Sequence, residues 1–189
     1  MPRTLEIVGY VVVSAEGHLA DAAGLMPNSL KFEPDQRFFV ASLNHADVVV
    51  NGKLSHEGQV NSPKRKRLTV TRSVASLGPD PDNPMGLRWN PAGLSFEKAC
   101  AELGVTSGTA AIIGGPQVFS MFLPIGYHTF QLCCAPGVSL PGGMPALLEA
   151  RDGKSVEDVL HDHGLAPGSR VWFDEAADVY LRSWTPRAR

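Results

Sequence analysis

Five apolar runs rich in β-branched residues recur along the chain: LEIVGYVVVS (5–14), ADVVVNG (46–52), RLTVTRS (67–73), TAAII (109–113) and HTFQLCCA (128–135). Segments with helical patterning or dense turn signals separate them. Pro34 can open a helix at its first turn, giving PDQRFFVASLNHA with Phe38, Phe39 and Leu43 as its apolar side. LSFEKACAELG (94–104) reads as a helix capped by Ser95 and stopped by Gly104, and QVFSMFL as another. Strands that run the same way need a crossover to connect them, so this alternation leaves few architectures. The tail departs from it. Ser155, followed three residues later by Asp158, starts a short helix that ends at Gly164, and RVWFDEAADVYLRSW (170–184) reads as an antiparallel hairpin. The predicted fold is a single α/β domain over residues 1–189. It has three layers: a mostly parallel central sheet with an antiparallel C-terminal hairpin, and helices on both faces. EGHLADAAGLMPNSLKF (16–32) is expected to be a loop. So is Ser76–Gly93, which holds Pro79, Pro81, Pro84 and Pro91 and either borders a site or is a surface excursion.

Hydrophobic residues make up 43% of the chain and charged residues 19%, enough for a core and without the signature of disorder. The formal net charge is −2, and the basic run is Lys64, Arg65, Lys66, Arg67. That run reads as a solvated face, a nucleic-acid patch or a site for a small anion. One such cluster on a nearly neutral chain argues against general nucleic-acid binding. Cys100, Cys133 and Cys134 form no CxxC pair, which argues against a disulfide framework or a zinc site, and the last two are expected as buried small hydrophobes. His161 and His163 do not share a helical face, so no metal site is expected. The N-terminal segment lacks a signal peptide's apolar core, and no apolar run of about eighteen residues is present, so the expectation is a cytoplasmic protein without membrane association.

The chemistry-bearing signals sit where strands end. In AAIIGGPQVFSMFL (110–123), a strand runs into Gly114-Gly115, and Pro116 takes the first helical position. Helix N-terminal amides attract anions, and glycines let a phosphate approach where a Cβ would not; the alternative is a sharp turn without a ligand. VVVNGKLS leads into Gly52, Lys53, Leu54 and Ser55, and TVTRS into Thr71 and Arg72. If the three ends are neighbours, Lys53 and Arg72 could bracket a 2′-phosphate, as in recognition of NADP rather than NAD.

Together these segments resemble the dihydrofolate reductase superfamily, including the reductase domain of the bifunctional riboflavin-biosynthesis protein. The carriers are VVVNGKLSHE, KRLTVTRS, IIGGPQVFSMFLP and SAEGHLAD. CCAPGVSLPGGMPAL is similar to the riboflavin branch, whereas GLMPNSLKF lacks the tryptophan that dihydrofolate reductases place after Met-Pro. The resemblance implies NADPH as hydride donor to a pterin, pyrimidine or related heterocycle. The activity would be like that of 5-amino-6-(5-phosphoribosylamino)uracil reductase or of dihydrofolate reductase. It implies that Gly114, Gly115, Gln117 and Val118 line the pyrophosphate, with a cis peptide between the two glycines. Gly52, Lys53, Leu54 and Ser55 would meet the adenosine phosphates, Thr71 and Arg72 the 2′-phosphate, and Val12, Leu19 and Ala20 the nicotinamide. On the substrate side it implies an acid on the first helix with an aromatic four residues later, a spacing Asp35 and Phe39 have. A carboxyl partly buried against Phe39 would have a raised pKa and could relay a proton; Glu33 competes for the role. Arg65 matches the arginine that folate-using relatives keep for the substrate carboxylate, and His18 and His56 lie in loops that could reach substrate. Other readings stay open: a catalytically silent nucleotide-binding or scaffold protein that keeps the fold, and a flavin-binding reductase. Members of the riboflavin branch often pair, so a homodimer is also open, with VYLRSW (179–184) as a candidate interface strand.

Overall fold

The computed structural model describes residues 4–55 and 58–188. The chain opens with β1 (Leu5–Val13), β2 (His18–Ala20), a 3-10 turn at Asn28–Leu30 and helix α1 (Glu33–His45). β3 (Val48–Gly52), a second 3-10 turn at Ser62–Lys64, β4 (Arg67–Val70), β5 (Leu77–Pro79) and β6 (Gly86–Trp89) follow. Next come α2 (Phe96–Glu102), β7 (Gly108–Ile112), α3 (Pro116–Phe122), β8 (Thr129–Cys134) and β9 (Met144–Pro145). The tail is α4 (Val156–Asp162) and the hairpin β10 (Leu165–Asp174) and β11 (Val179–Pro186).

Among the described residues one sheet carries the strands in the order β10-β11-β8-β1-β7-β3-β4-β6-β5. From β8 to β6 every pairing is parallel; β5 and the C-terminal hairpin add antiparallel margins. Side-chain alternation assigns the two faces. Val48, Val50, Leu68, Ala110, Ile112, Phe130 and Leu132 face the larger core, where Phe96, Phe119, Phe122 and Leu160 of α2, α3 and α4 meet them. The intervening Val49 and Ala111 lie under Leu43 and Phe39 of α1, and Val12 and Cys133 pack with Leu30 and Phe38. Helices therefore cover both faces, as the alternation predicts.

Local signals explain the helix ends. Ser95 Oγ accepts from the Lys98 amide at the start of α2, and Gly104 takes φ +68° after its end. Ser155 and Asp158 form a reciprocal capping box on α4. α1 has no side-chain cap; Pro34 in its first turn and the acids Glu33 and Asp35 mark its start instead.

Three expectations are corrected. Ser76–Gly93 is not a loop: it contributes β5 and β6, which extend the sheet past β4, with Pro79 tolerated because β5 is an edge strand. The 16–32 stretch contains β2, which pairs antiparallel with β9. VYLRSW is an interior strand between β10 and β8, with Val179, Tyr180, Leu181 and Trp184 buried, so it has no edge to offer a partner. The exposed margin is β10, whose pairing with β11 is broken at Pro167/Arg170 and at Trp172/Asp174.

Candidate functional site

The carboxyl ends of β1, β3, β4 and β7 and the first turns of α1 and α3 lie along one edge of the sheet. At its centre, Gly114 and Gly115 are joined by a cis peptide bond. The Ile113 amide donates to the Val50 carbonyl at 3.0 Å and the Gly52 amide to the Gly114 carbonyl at 2.7 Å, so two strand ends are closed onto each other by main chain. A side chain at Gly114 would disturb this closure. Gly114 has φ +108°, and a Cβ there would lie 2.9 Å from the Phe119 ring. At Gly115 a Cβ would lie 2.8 Å from Ser55 Oγ, which would have to turn away, and at Gly52 it would meet Val118 at 3.4 Å. The Val118 and Phe119 amides both donate to the Gly115 carbonyl. The Gly115 and Gln117 amides remain, donating to no protein group among the described residues. Val118 is buried and shapes the corner from beneath, while Gln117 is exposed.

Lys53 and Leu54 are exposed on the turn after β3, beside Ser55. Beyond β4, the Thr71 amide donates to the Trp89 carbonyl, and Thr71 Oγ1 accepts from the Ser73 amide, which holds the turn carrying the exposed Arg72. After β1, Glu16 is the tie. Its carboxylate accepts from Ser14 Oγ (2.7 Å), Ser139 Oγ (2.5 Å) and the Leu140 amide (2.9 Å). These bonds hold it down to about 2, well below the usual carboxylate range. His18 Nδ1 donates to the Leu140 carbonyl at 2.7 Å, which fixes its tautomer when neutral. Leu19 and the buried Ala20 are thereby held beside β9, and Val12 is buried at the end of β1.

Asp35 lies in the first turn of α1, half-buried above β8. Burial raises its carboxyl to about 6, although a hydrogen bond from the Cys133 thiol pulls the other way. Phe39, one turn on, packs edge-on to Tyr10 at 6.3 Å and against the same buried cluster as Ile113, the residue before the glycines. Glu33, the competing acid, pairs at 3.5 Å with Arg37 on the exposed side of the helix. Cys133 was expected as a small hydrophobe; its contact with Asp35 is visible only in the fold.

Arg65 is not brought to this edge. It precedes β4 at the amino end of the sheet, where its Nη2 donates to Asn44 Oδ1 at 2.6 Å near the last turn of α1. Asn44 stands nine residues after Asp35, roughly 13 Å along the helix at 1.5 Å per residue. Lys66 lies over Gly104 past the end of α2, where a Cβ would be 3.8 Å from its Nζ. Arg65 and Lys66 thus lie near two helix C-termini, whose dipoles favour cations, and Arg65 and Arg67 are buried rather than joining one exposed patch. His56 lies outside the described residues.

Several polar residues that the sequence did not single out gather where α1 stops covering the sheet. Arg67 Nη1 donates to Asn51 Oδ1 at 2.6 Å and Nη2 to Ser62 Oγ at 3.1 Å; Thr69 Oγ1 donates to Asp80 Oδ2 at 2.7 Å. With Lys53, Thr71, Asp82, Asn83 and Arg88 they line a cavity of about 610 Å³. The alternation of Arg67, Thr69 and Thr71 with Leu68 and Val70 was the available signal.

No family model matches the chain, and no curated protein matches it in sequence. Solved structures match in fold. One is the Thermotoga maritima diaminohydroxyphosphoribosylaminopyrimidine deaminase/5-amino-6-(5-phosphoribosylamino)uracil reductase. It is 16% identical with a TM-score of 0.65, over 98% of this chain and 57% of that one, so the chain spans little more than half of that protein's length. A protein described as acting in riboflavin biosynthesis, from Shewanella sp. PV-4, is 13% identical with a TM-score of 0.64, over 97% and 100% of the two chains. Enterococcus faecalis dihydrofolate reductase, solved with NADP(H) and RAB-propyl, is 15% identical with a TM-score of 0.62, over 95% and 94%. The chain has the dihydrofolate reductase-like fold.

Proposed function

We propose that this chain is an NADPH-dependent reductase acting on a pterin, pyrimidine or related heterocyclic substrate. The observation that carries the reading is the glycine corner, where Gly52, Gly114 and Gly115 close two strand ends against the start of α3 and the Gly115 and Gln117 amides have no protein acceptor among the described residues. A diphosphate suits such a corner, because its oxygens accept from main-chain amides at a helix start. Lys53, Ser55, Thr71 and Arg72 add charge and hydroxyls along the same edge. The NADP(H) complex among the fold neighbours supports the choice of coenzyme.

The residues present suit that coenzyme, which when bound supplies the hydride. The protein's part is to orient and to manage one proton. Val12 is buried with Leu30 and Phe38, Leu19 packs against the larger core, and the Glu16 tie holds the segment that carries Leu19 and the buried Ala20. Asp35, raised to about 6 by burial, holds its proton closer to neutral pH than an ordinary aspartate and can pass it to a substrate nitrogen. The Cys133 thiol restrains that carboxyl, making Cys133 a positioning residue.

Calorimetric titration with NADPH is the direct test. A dissociation constant in the micromolar range or below supports the reading, and no heat and no thermal shift at concentrations far above micromolar would overturn it. Turnover of dihydrofolate compared with 5-amino-6-(5-phosphoribosylamino)uracil then separates the two substrate branches.

A further inference from the structure

Between β8 and α4 the chain lays a strap, residues 135–150, across the segment that carries β2. Contact along it is close. β9 pairs with β2, setting Pro145 against His18 and Met144 against Ala20, and the Ala146 amide donates to the Gly17 carbonyl at 3.0 Å. A Cβ on Gly143 would lie 2.5 Å from the Ala20 carbonyl oxygen, so main chain sits directly on main chain. The Glu16 tie fixes the strap where it arrives, at Ser139 and Leu140. Where it leaves, it is fixed to α3. Ser120, buried on that helix, accepts from the Leu148 amide at 2.9 Å through Oγ and donates to Glu149 Oε2 at 2.7 Å. A buried hydroxyl needs partners, and a helical serine commonly takes the carbonyl one turn back. Ser120 instead reaches a segment 28 residues further on. Only Ala146 and Leu147 separate β9 from Leu148, and both are fully buried in the larger core, which leaves no slack in the chain between.

We propose that Ser120 is a positioning residue that locks the strap, and through it Leu19 and Ala20, to the helix carrying the glycine corner. The proposal rests on the reductase reading, in which the corner holds the coenzyme's diphosphate and Leu19 and Ala20 meet its nicotinamide. Among the described residues those two regions belong to different sheets: the corner follows β7 of the main sheet, whereas β2 and β9 form a two-stranded sheet of their own. Ser120 joins them. α3 does not depend on this bond for its own place, because Val118, Phe119 and Phe122 anchor it in the core. Removing the hydroxyl therefore loosens the strap and leaves the corner intact, so the loss falls on the nicotinamide end of the ligand.

The test titrates the intact protein with NADPH and with 2′-phospho-ADP-ribose, which keeps the coenzyme's diphosphate and lacks its nicotinamide. Ser120→Ala is expected to weaken NADPH binding about fivefold, the worth of one hydrogen bond, with 2′-phospho-ADP-ribose binding unchanged. Amide exchange should quicken at Leu148 and across β2 together. Glu149 is exposed, so Glu149→Ala removes the hydroxyl's acceptor without touching the core. It should move both readouts in the same direction, and Glu149→Gln, whose amide oxygen still accepts, should restore them. That pair keeps the test sound if Ser120→Ala disturbs folding. A serine with a merely structural role would lower the melting temperature and weaken both ligands alike, or neither. Either result would overturn the proposal and leave the reductase reading standing, as would faster exchange confined to Leu148. Wild-type protein that binds neither ligand would overturn that reading and this role with it.

Discussion

An aspartate in the first turn of a helix is normally stabilised as a carboxylate by the helix dipole. Asp35 occupies that position, yet burial over β8 lifts it to about 6. Its folded value therefore lies above that of an unfolded aspartate, near 4. The stability it contributes is fully present below about pH 4 and is lost as pH rises through 6. Asp35→Asn removes this dependence. Denaturant titrations should find the variant more stable than wild type at pH 8, by about 1–3 kcal/mol, and indistinguishable near pH 4. In the proposed reaction the same variant should lose at least tenfold in kcat with NADPH affinity nearly unchanged. Wild-type kcat should fall as pH rises through about 6, where the proton is lost. Cys133→Ala, which deletes the thiol donor, should move that inflection upward, and Cys133→Ser should restore it. At the glycine corner, Gly114→Ala combines a φ of +108° with a collision against Phe119. Thermal melts should register a loss of roughly 1–3 kcal/mol.

Among the elements, the β2–β9 pair is the least self-sufficient, with few main-chain bonds of its own. Its attachment comes from Glu16, whose carboxylate gathers the Ser14 and Ser139 hydroxyls and the Leu140 amide. The folded value, about 2, is below the usual one, so the tie is intact above pH 4.5 and is lost as pH falls toward 2. Glu16→Gln should speed amide exchange at Leu140 and raise KM for NADPH more than it lowers the melting temperature. Leu19 and the buried Ala20 are positioned by this segment. Unchanged exchange at Leu140 would show that the β2–β9 pairing alone holds the segment.

At the scale of the whole molecule, α1 is the only helix on its face of the sheet among the described residues, and Leu43 is its fully buried anchor, set over Val49 and Ala111. Leu43→Ala should cost about 2–5 kcal/mol in chemical denaturation, because neither strand below can collapse into the space left. The alternating strand and helix runs, the Ser95 and Ser155 caps, the glycine stops and the Gly-Gly-Pro corner were legible in the linear chain, because each depends on residues within a few positions of one another. Three kinds of feature were not. β5 and β6 are short and interrupted by prolines, and they exist as strands only because β4 offers them an edge. Arg65 keeps the sequence spacing to Arg72 that suggested a substrate contact, but a four-residue strand carries it to the other end of the sheet. The contact of Asp35 with Cys133, and the cavity joining Asn51, Arg67, Thr69, Asp80 and Arg88, bring together residues whose neighbours in sequence say nothing of one another. Backbone conformation is set by local sterics and periodicity, so the sequence alone determined which segments are strands, helices and glycine turns over most of the chain. Desolvation and charge pairing depend on what packs from elsewhere, so only the tertiary structure decided which acid holds a proton and which cations face a cavity.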